Sequence, residues 1–253
     1  YSGLELIDKV FPKYGIVCDL ILAPGWSHKS TVAAIMKAKA EAINTVFTGA
    51  KALIDVDTTE VTYYSDATEW KKEQNMNDKA EILCWPMFGL GDYIFHASVH
   101  AAGLMAATDS DNGGCPAESP SNKTLQIDRA CLADGTTVLL DLNQANYLNS
   151  NGIVTALNFI GGYVLWGNET ACYPADTDVK NYFISVSRMF GWVANSLVLS
   201  YWNKIDKKMT RRLIDSIVDS VNIWLNGLVN EEKLLGGRVE FLEEENSQTA
   251  LMA

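Results

Sequence analysis

The chain has 253 residues, enough to bury a core of its own without disulfides. Its net charge of −11 is the wrong sign for an electrostatic nucleic-acid surface, so direct DNA or RNA binding is disfavoured. Only 20% of residues are charged, whereas seven Trp and ten Tyr are many for this length, a hint of surface meant to be covered by neighbours.

The opening Tyr1-Ser2-Gly3-Leu4-Glu5 is neither basic nor a translation start, so no signal peptide is read and the chain is expected to be a piece of a longer protein. Up to about Tyr173, short apolar runs alternate with helical periodicity, which predicts an α/β layer fold. Strands are expected over residues 18–23, 52–56, 80–85, 137–142 and 163–166, several of them apolar enough to be buried on both faces. Helices are expected over 30–47, with Val32, Ile35, Met36, Ile43 and Val46 on one face, over 95–107, and over 152–159. Between the last two, "DSDNGGCPAESPSN" (109–122) reads as an exposed connector. After "ACYPADTD" the texture changes to two long amphipathic helices, 178–204 and 210–229, the second with Thr210 as its N-cap. Gly236-Gly237 then opens the strand-like "RVEFLEEE". The boundary between these textures divides the chain into 1–175, an α/β domain, and 176–253, a partial α+β domain. No run is long and apolar enough for the ~20 residues of a membrane span, so no membrane insertion is read. Cys18, Cys84, Cys115, Cys131 and Cys172 form no C-x-x-C pair and read as reduced, mostly buried thiols of an intracellular product.

Each motif with chemical potential fails at a residue the chemistry requires. In "ILAPGWSHKSTVAAIM" (21–36), a phosphate loop would need glycine where His28 stands, and a nucleophile elbow would need glycine at Lys29. The turn is therefore read as a join, with Ser27 or Ser30 capping the following helix. His100-Ala101-Ala102-Gly103-Leu104-Met105-Ala106-Ala107 resembles the H-x-A-G-x-x-A-A run on the histidine-bearing helix of subtilisin-like proteases, and Asp55 ends "ALIDVD" as a triad aspartate would. The position of the protease's catalytic histidine, however, holds Ala97, and the nucleophile position of the nearest serine-turn analogue, Gly152-Ile153-Val154-Thr155-Ala156, holds Val154. His96 and His100 are read as satisfied helix residues, because a base without a nucleophile completes no triad. Asp55, Asp57, Glu60, Asp109 and Asp111 read as surface carboxylates, since a calcium loop from Asp109 would place Pro120 where Glu is needed. No catalytic residue, cofactor or metal is assigned. The charged runs Lys207, Lys208, Arg211 and Arg212, and Glu243, Glu244 and Glu245, are solvated faces by default and a complementary subunit interface if the protein polymerises.

"LILAPGWSHKSTVAAIMKAKAEAI", "CWPMFGLGD", "SPSNK", "GIVTALNFIGGYVLWGNETACYPADTDVKNYFISVSRMF" and "RRLIDSIVDSVNIWLNGLVNEEKLLGGRVEFLEEEN" together resemble the contractile-tail sheath proteins of bacteriophages and prophages. The resemblance implies a non-catalytic, subtilisin-like layered α/β domain followed by a truncated subunit-joining domain. It also implies a structural subunit that stacks as rings around a tail tube, in the virion tail sheath assembled in the host cytoplasm, and contracts to drive the tube through a bacterial envelope. The implied partners are other copies of itself, the tail tube protein, baseplate and tail terminator. Because extended arms link such subunits by strand addition, the chain as it stands is expected to stay largely monomeric. Two other readings remain: a serine hydrolase of subtilisin-like fold using Asp55 with His96 or His100, and a catalytically silent α/β binding module.

Overall fold

The computed structural model describes residues 3–242. The chain forms two compact units, Tyr1–Val198 and Leu199–Ala253. Strands of the first unit are β1 (Leu20–Leu22), β2 (Lys51–Asp55), β3 (Glu81–Cys84), β4 (Met87–Leu90), β5 (Tyr93–Phe95), β6 (Arg129–Cys131), β7 (Thr137–Val138), β8 (Ile153–Asn158) and β9 (Tyr163–Trp166). Its helices are α1 (Val10–Tyr14), α2 (Ser30–Glu41), α3 (Asp66–Glu73), α4 (Ala97–Asp111), α5 (Leu142–Asn149) and α6 (Val179–Tyr182), and α7 (Ile184–Tyr201) begins in it. Every strand among the described residues lies between Leu20 and Trp166.

The main sheet has the order β1-β2-β3-β8-β9, parallel except for the β8–β9 hairpin. All residues of β2 and β3 are buried, and their side chains alternate between two cores. Leu53, Ile82 and Val154 face one core with Ala97, Ala101 and Met105 of α4, while Ile54, Leu83 and Ile153 face the other with Ala67 and Trp70 of α3 and Leu148 of α5. A sheet covered on both faces needs apolar residues at every position, which is why these strands read as continuous apolar runs. A smaller antiparallel sheet, β5-β4-β6-β7, lies beside it in the chain path.

Several expectations are corrected. The helix expected over 152–159 is strand β8, because Ile153, Val154 and Thr155 are β-branched and Leu83 and Cys84 fix their register. Gly152 leads into it at φ +68°, where a Cβ would lie 2.6 Å from the Thr170 carbonyl oxygen. The strand expected over 137–142 stops at Val138, because Asp141 and Gln144 form a capping box that starts α5. Helix α2 ends at Glu41, short of residue 47; Asn44 and Thr45 take positive φ, and Ile35 of the expected buried face is exposed. The helix expected over 178–204 is broken by extended backbone at Phe183. Asp109 belongs to α4, not to a connector.

The first unit's part of α7 is seated by polar and backbone contacts. The buried Arg188 guanidinium pairs with Asp19 and Asp109, with Nη1 to Asp109 Oδ1 at 3.2 Å. Lys51 Nζ donates to Ser187 Oγ at 2.6 Å and to the Lys79 carbonyl at 2.8 Å. Asn195 meets Thr48 with both ends of its amide, accepting from the backbone N–H at 3.0 Å and donating to the carbonyl at 2.8 Å. Between them Gly191 lies on Gly49 so closely that a Cβ at Gly191 would sit 2.7 Å from the Gly49 Cα.

In the second unit α8 (Arg211–Asn230) buries Ile214, Val221, Leu225 and Leu228 along one face, and Thr210 Oγ1 caps it by accepting from Leu213 N at 3.2 Å, as its sequence predicts. Residues 238–242 form no strand; instead the Asn222 amide accepts from Val239 N at 2.8 Å and donates to Val239 O at 3.0 Å.

Gly191→Ala is expected to destabilise the first unit by about 1–3 kcal/mol, the cost of overpacking against backbone. Gly103→Ala, in an exposed and open stretch of α4, should stabilise it by about 0.5–1 kcal/mol. Urea unfolding of both variants beside the wild type measures the contrast.

Candidate functional site

Asp55 is the residue where a catalytic centre would have to form. It ends β2 and is 4% exposed, so it is a buried carboxylate and not the surface group expected from the sequence. Its Oδ1 accepts from Ser98 N at 2.8 Å, and its Oδ2 accepts from Ser98 Oγ at 2.7 Å and Ser27 Oγ at 3.2 Å. Ser27 Oγ in turn accepts from the Asp55 backbone N–H at 3.0 Å. The opening turn is thus a buried clamp on β2, and neither Ser27 nor Ser30 caps α2, whose N-cap is Lys29 with no side-chain bond. His96 is the N-cap of α4, with Nδ1 3.7 Å from Asp55 Oδ2, beyond hydrogen-bond length. That nitrogen is buried with no hydrogen-bond partner among the described residues, so His96 is not the satisfied residue expected.

A working base accepts the proton of the nucleophile's hydroxyl while the carboxylate orients the base. Here both serine hydroxyls donate to the carboxylate itself. His100 takes no part: it packs edge-on against Phe88 and Phe95, and burial lowers its pKa. Asp57 is half-buried and accepts from Thr59 N at 2.9 Å and Thr59 Oγ1 at 2.7 Å, the arrangement of a turn. Among the described residues no group of three potential metal ligands forms, and no helix is long and apolar enough to cross a membrane.

Two lysines that the sequence reading passed over are buried. Lys51, which opens β2, is 2% exposed, and Lys71 of α3 is 6% exposed; burial lowers each pKa to about 8. Lys71 Nζ donates to the carbonyls of Asn151 at 2.5 Å and Tyr173 at 2.7 Å. The available signal was a lone cation inside an apolar run: Lys51 in "GAKALIDV" and Arg188 in "SVSRMFGW". All five cysteines are free thiols, four of them buried.

Of the residues singled out for subunit contact, Lys207, Lys208, Arg211 and Arg212 lie exposed in the turn before α8 and in its first turn, in the second unit. Glu243, Glu244 and Glu245 lie outside the described residues. Arg211 Nε stands 3.9 Å from Asp215 one turn on. Cations at a helix N-terminus oppose the macrodipole, so helix stability does not account for this cluster.

No family model matches the chain. It is 29% identical over 264 residues to the tail sheath protein of Burkholderia phage BcepMu, covering 100% of this chain and 54% of that protein. It is 27% identical over 192 residues to the tail sheath protein of Escherichia phage P2, covering 71% of this chain and 46% of the relative. The chain thus spans about half the length of the curated relatives it matches. Its fold is shared with the sheath complex of the extracellular contractile injection system PVC in its contracted state, at TM-score 0.67 and 19% identity over 95% of this chain and 62% of that one. The contracted helical sheath of the anti-feeding prophage matches at TM-score 0.67 and 16% identity, over 95% of this chain and 63% of the other. The curated homologues are tail sheath proteins of phages, and the structural neighbours include contractile sheath proteins.

With both serines engaged on Asp55, a fluorophosphonate probe is expected to label no serine in the native chain above the heat-denatured control. Stability should also depend on pH through Lys51. Its folded pKa of about 8 lies below the ordinary 10.5, so its penalty is fully present below about pH 8 and is relieved as pH rises toward 10.5. Burial pushes the Cys84 thiol up, which works in the opposite direction at alkaline pH, so the lysine contribution is read as a difference. Between pH 7.5 and 9.5 the wild type should gain about 1–2 kcal/mol relative to Lys51→Met in chemical denaturation.

Proposed function

We propose that this chain, a homologue of phage tail sheath proteins, forms part of the structural subunit of a contractile tail sheath. In this reading the subunit polymerises as stacked rings around a tail tube and contracts to drive the tube through the bacterial envelope. The observation that carries it is the reach of the similarity, which covers 100% of the chain in sequence and 95% in fold. Its partners are other copies of itself, the tail tube protein, and the baseplate and tail terminator at the two ends. It acts in the virion tail or a tail-like particle, after assembly in the host cytoplasm, and binds no nucleic acid directly.

The role is mechanical and non-enzymatic, and what supports this is the Asp55 cluster, where the hydroxyls that a nucleophile would need are tied to the carboxylate. A subtilisin-like ancestry is supported by Asp55 at a strand end with His96 opening the next long helix, an arrangement kept after its chemistry was lost. The functional boundary falls at 175/176, between the strand-bearing part and the helical remainder, which is the beginning of the subunit-joining domain. There the exposed Lys207, Lys208, Arg211 and Arg212 serve as one half of a charged subunit interface, with Glu243, Glu244 and Glu245 as the other.

The complete protein co-expressed with its tail tube should give sheath-like tubes in negative-stain micrographs, and the absence of tubes would sink the reading. Reversing Lys207, Lys208, Arg211 and Arg212 to glutamate should abolish the tubes while leaving circular dichroism of the subunit unchanged.

A further inference from the structure

A cleft of about 380 Å³ in the first unit lies beside α3, walled by Thr68, Lys71, Lys72, Asn75, Asn151 and Tyr173 among others. In a chain of net charge −11 it is an exception, since its wall carries two lysines and, among the described residues, no carboxylate. Lys71 uses two of its three N–H groups on the Asn151 and Tyr173 carbonyls, and no carboxylate shares the cleft wall with it among the described residues. Burying an ammonium is costly, and burial lowers the pKa of Lys71 to about 8 although Cys172 and the Glu81 carboxylate, beyond ion-pair distance, act in the opposite direction.

Thr68 stands three residues earlier on the same helix face. It is 7% exposed, and its Oγ1 is a buried hydroxyl with no hydrogen-bond partner among the described residues. A buried hydroxyl without a partner costs roughly what a hydrogen bond would return, so this one, on a wall that also holds a buried cation, needs an account. We propose that this cleft is a carboxylate-binding site, with Lys71 and Thr68 on its inner wall and Lys72 at its exposed edge. A carboxylate offers two acceptor oxygens and one negative charge, matching one buried cation with one N–H to spare and one hydroxyl. Asn75 at the edge adds amide donors. The inference stands on the cleft alone and does not rest on the sheath reading.

Two sources carry this chemistry: a free small acid, or a glutamate of a peptide such as the chain's own "EFLEEENS" presented by a second copy. Isothermal titration of the purified chain with glutarate, with that peptide, with its glutamate-to-glutamine analogue and with inorganic phosphate separates them. Glutarate or the acidic peptide is expected to bind in the low-millimolar range or tighter, and the glutamine analogue is not. Thr68→Val, which removes the unmet hydroxyl and should not lower the melting temperature, and Lys72→Glu should each weaken binding by about tenfold. Binding of the peptide without glutarate would assign the site to a protein segment, and the reverse to a small metabolite acid. The proposal is overturned if neither carboxylate binds, if phosphate binds more tightly than both, or if the two variants bind as the wild type does.

Discussion

The seat of α7 depends on one buried guanidinium. Arg188 is 1% exposed, and Asp19 before β1 and Asp109 at the end of α4 divide its charge between them. Removing either partner would leave a buried charge under-compensated, a cost of about 3–5 kcal/mol for a fully buried pair and less here because Asp19 is partly exposed. Lys51 on Ser187, Gly49 on Gly191 and Thr48 on Asn195 continue the same face over two further turns. Apolar packing tolerates small slips, whereas directional bonds and backbone contact hold one register. The start of α7 is therefore fixed to the sheet at the entries of β1 and β2.

The same mutual satisfaction of polar groups governs the cluster at Asp55. A carboxylate at a strand end, an imidazole opening a helix and two serines nearby are the materials of acyl-transfer chemistry, yet their connectivity is wrong. The serines satisfy the carboxylate, and His96 Nδ1 is left without a hydrogen-bond partner among the described residues. The cluster joins the turn after β1, the end of β2 and the start of α4 into one buried unit.

How much of this was legible depended on whether the cause was local. Strands β2 and β3 were readable because burial on both faces writes a run of apolar residues, β1 and β9 because they too are short apolar runs, and α8 because Thr210 and a single apolar stripe announce it. Strand β8 was mistaken for a helix because its run of buried residues includes Ala156 and Leu157 and shows no alternation. The capping box of Asp141 and Gln144 was written in the sequence and was missed. Of the small sheet only β7 falls in an expected strand; β4, β5 and β6 were missed because they are three to four residues long and expose Leu90 and Tyr93. The pins on α7 join residues as far as 169 positions apart, and only the lone Arg188 and Lys51 in apolar surroundings marked them. The expected interface was legible as charge alone, since half of it lies outside the described residues.

The role proposed above makes the first unit a rigid mechanical body of a contractile sheath. The most direct measurement is a cryo-electron microscopy map of tubes assembled from the complete protein, before and after contraction. The expected result is that residues 3–198 fit the repeating outer layer in both states with Arg188 still between Asp19 and Asp109. A repeating unit whose density cannot hold this fold, or one in which α7 leaves its seat on contraction, would contradict it.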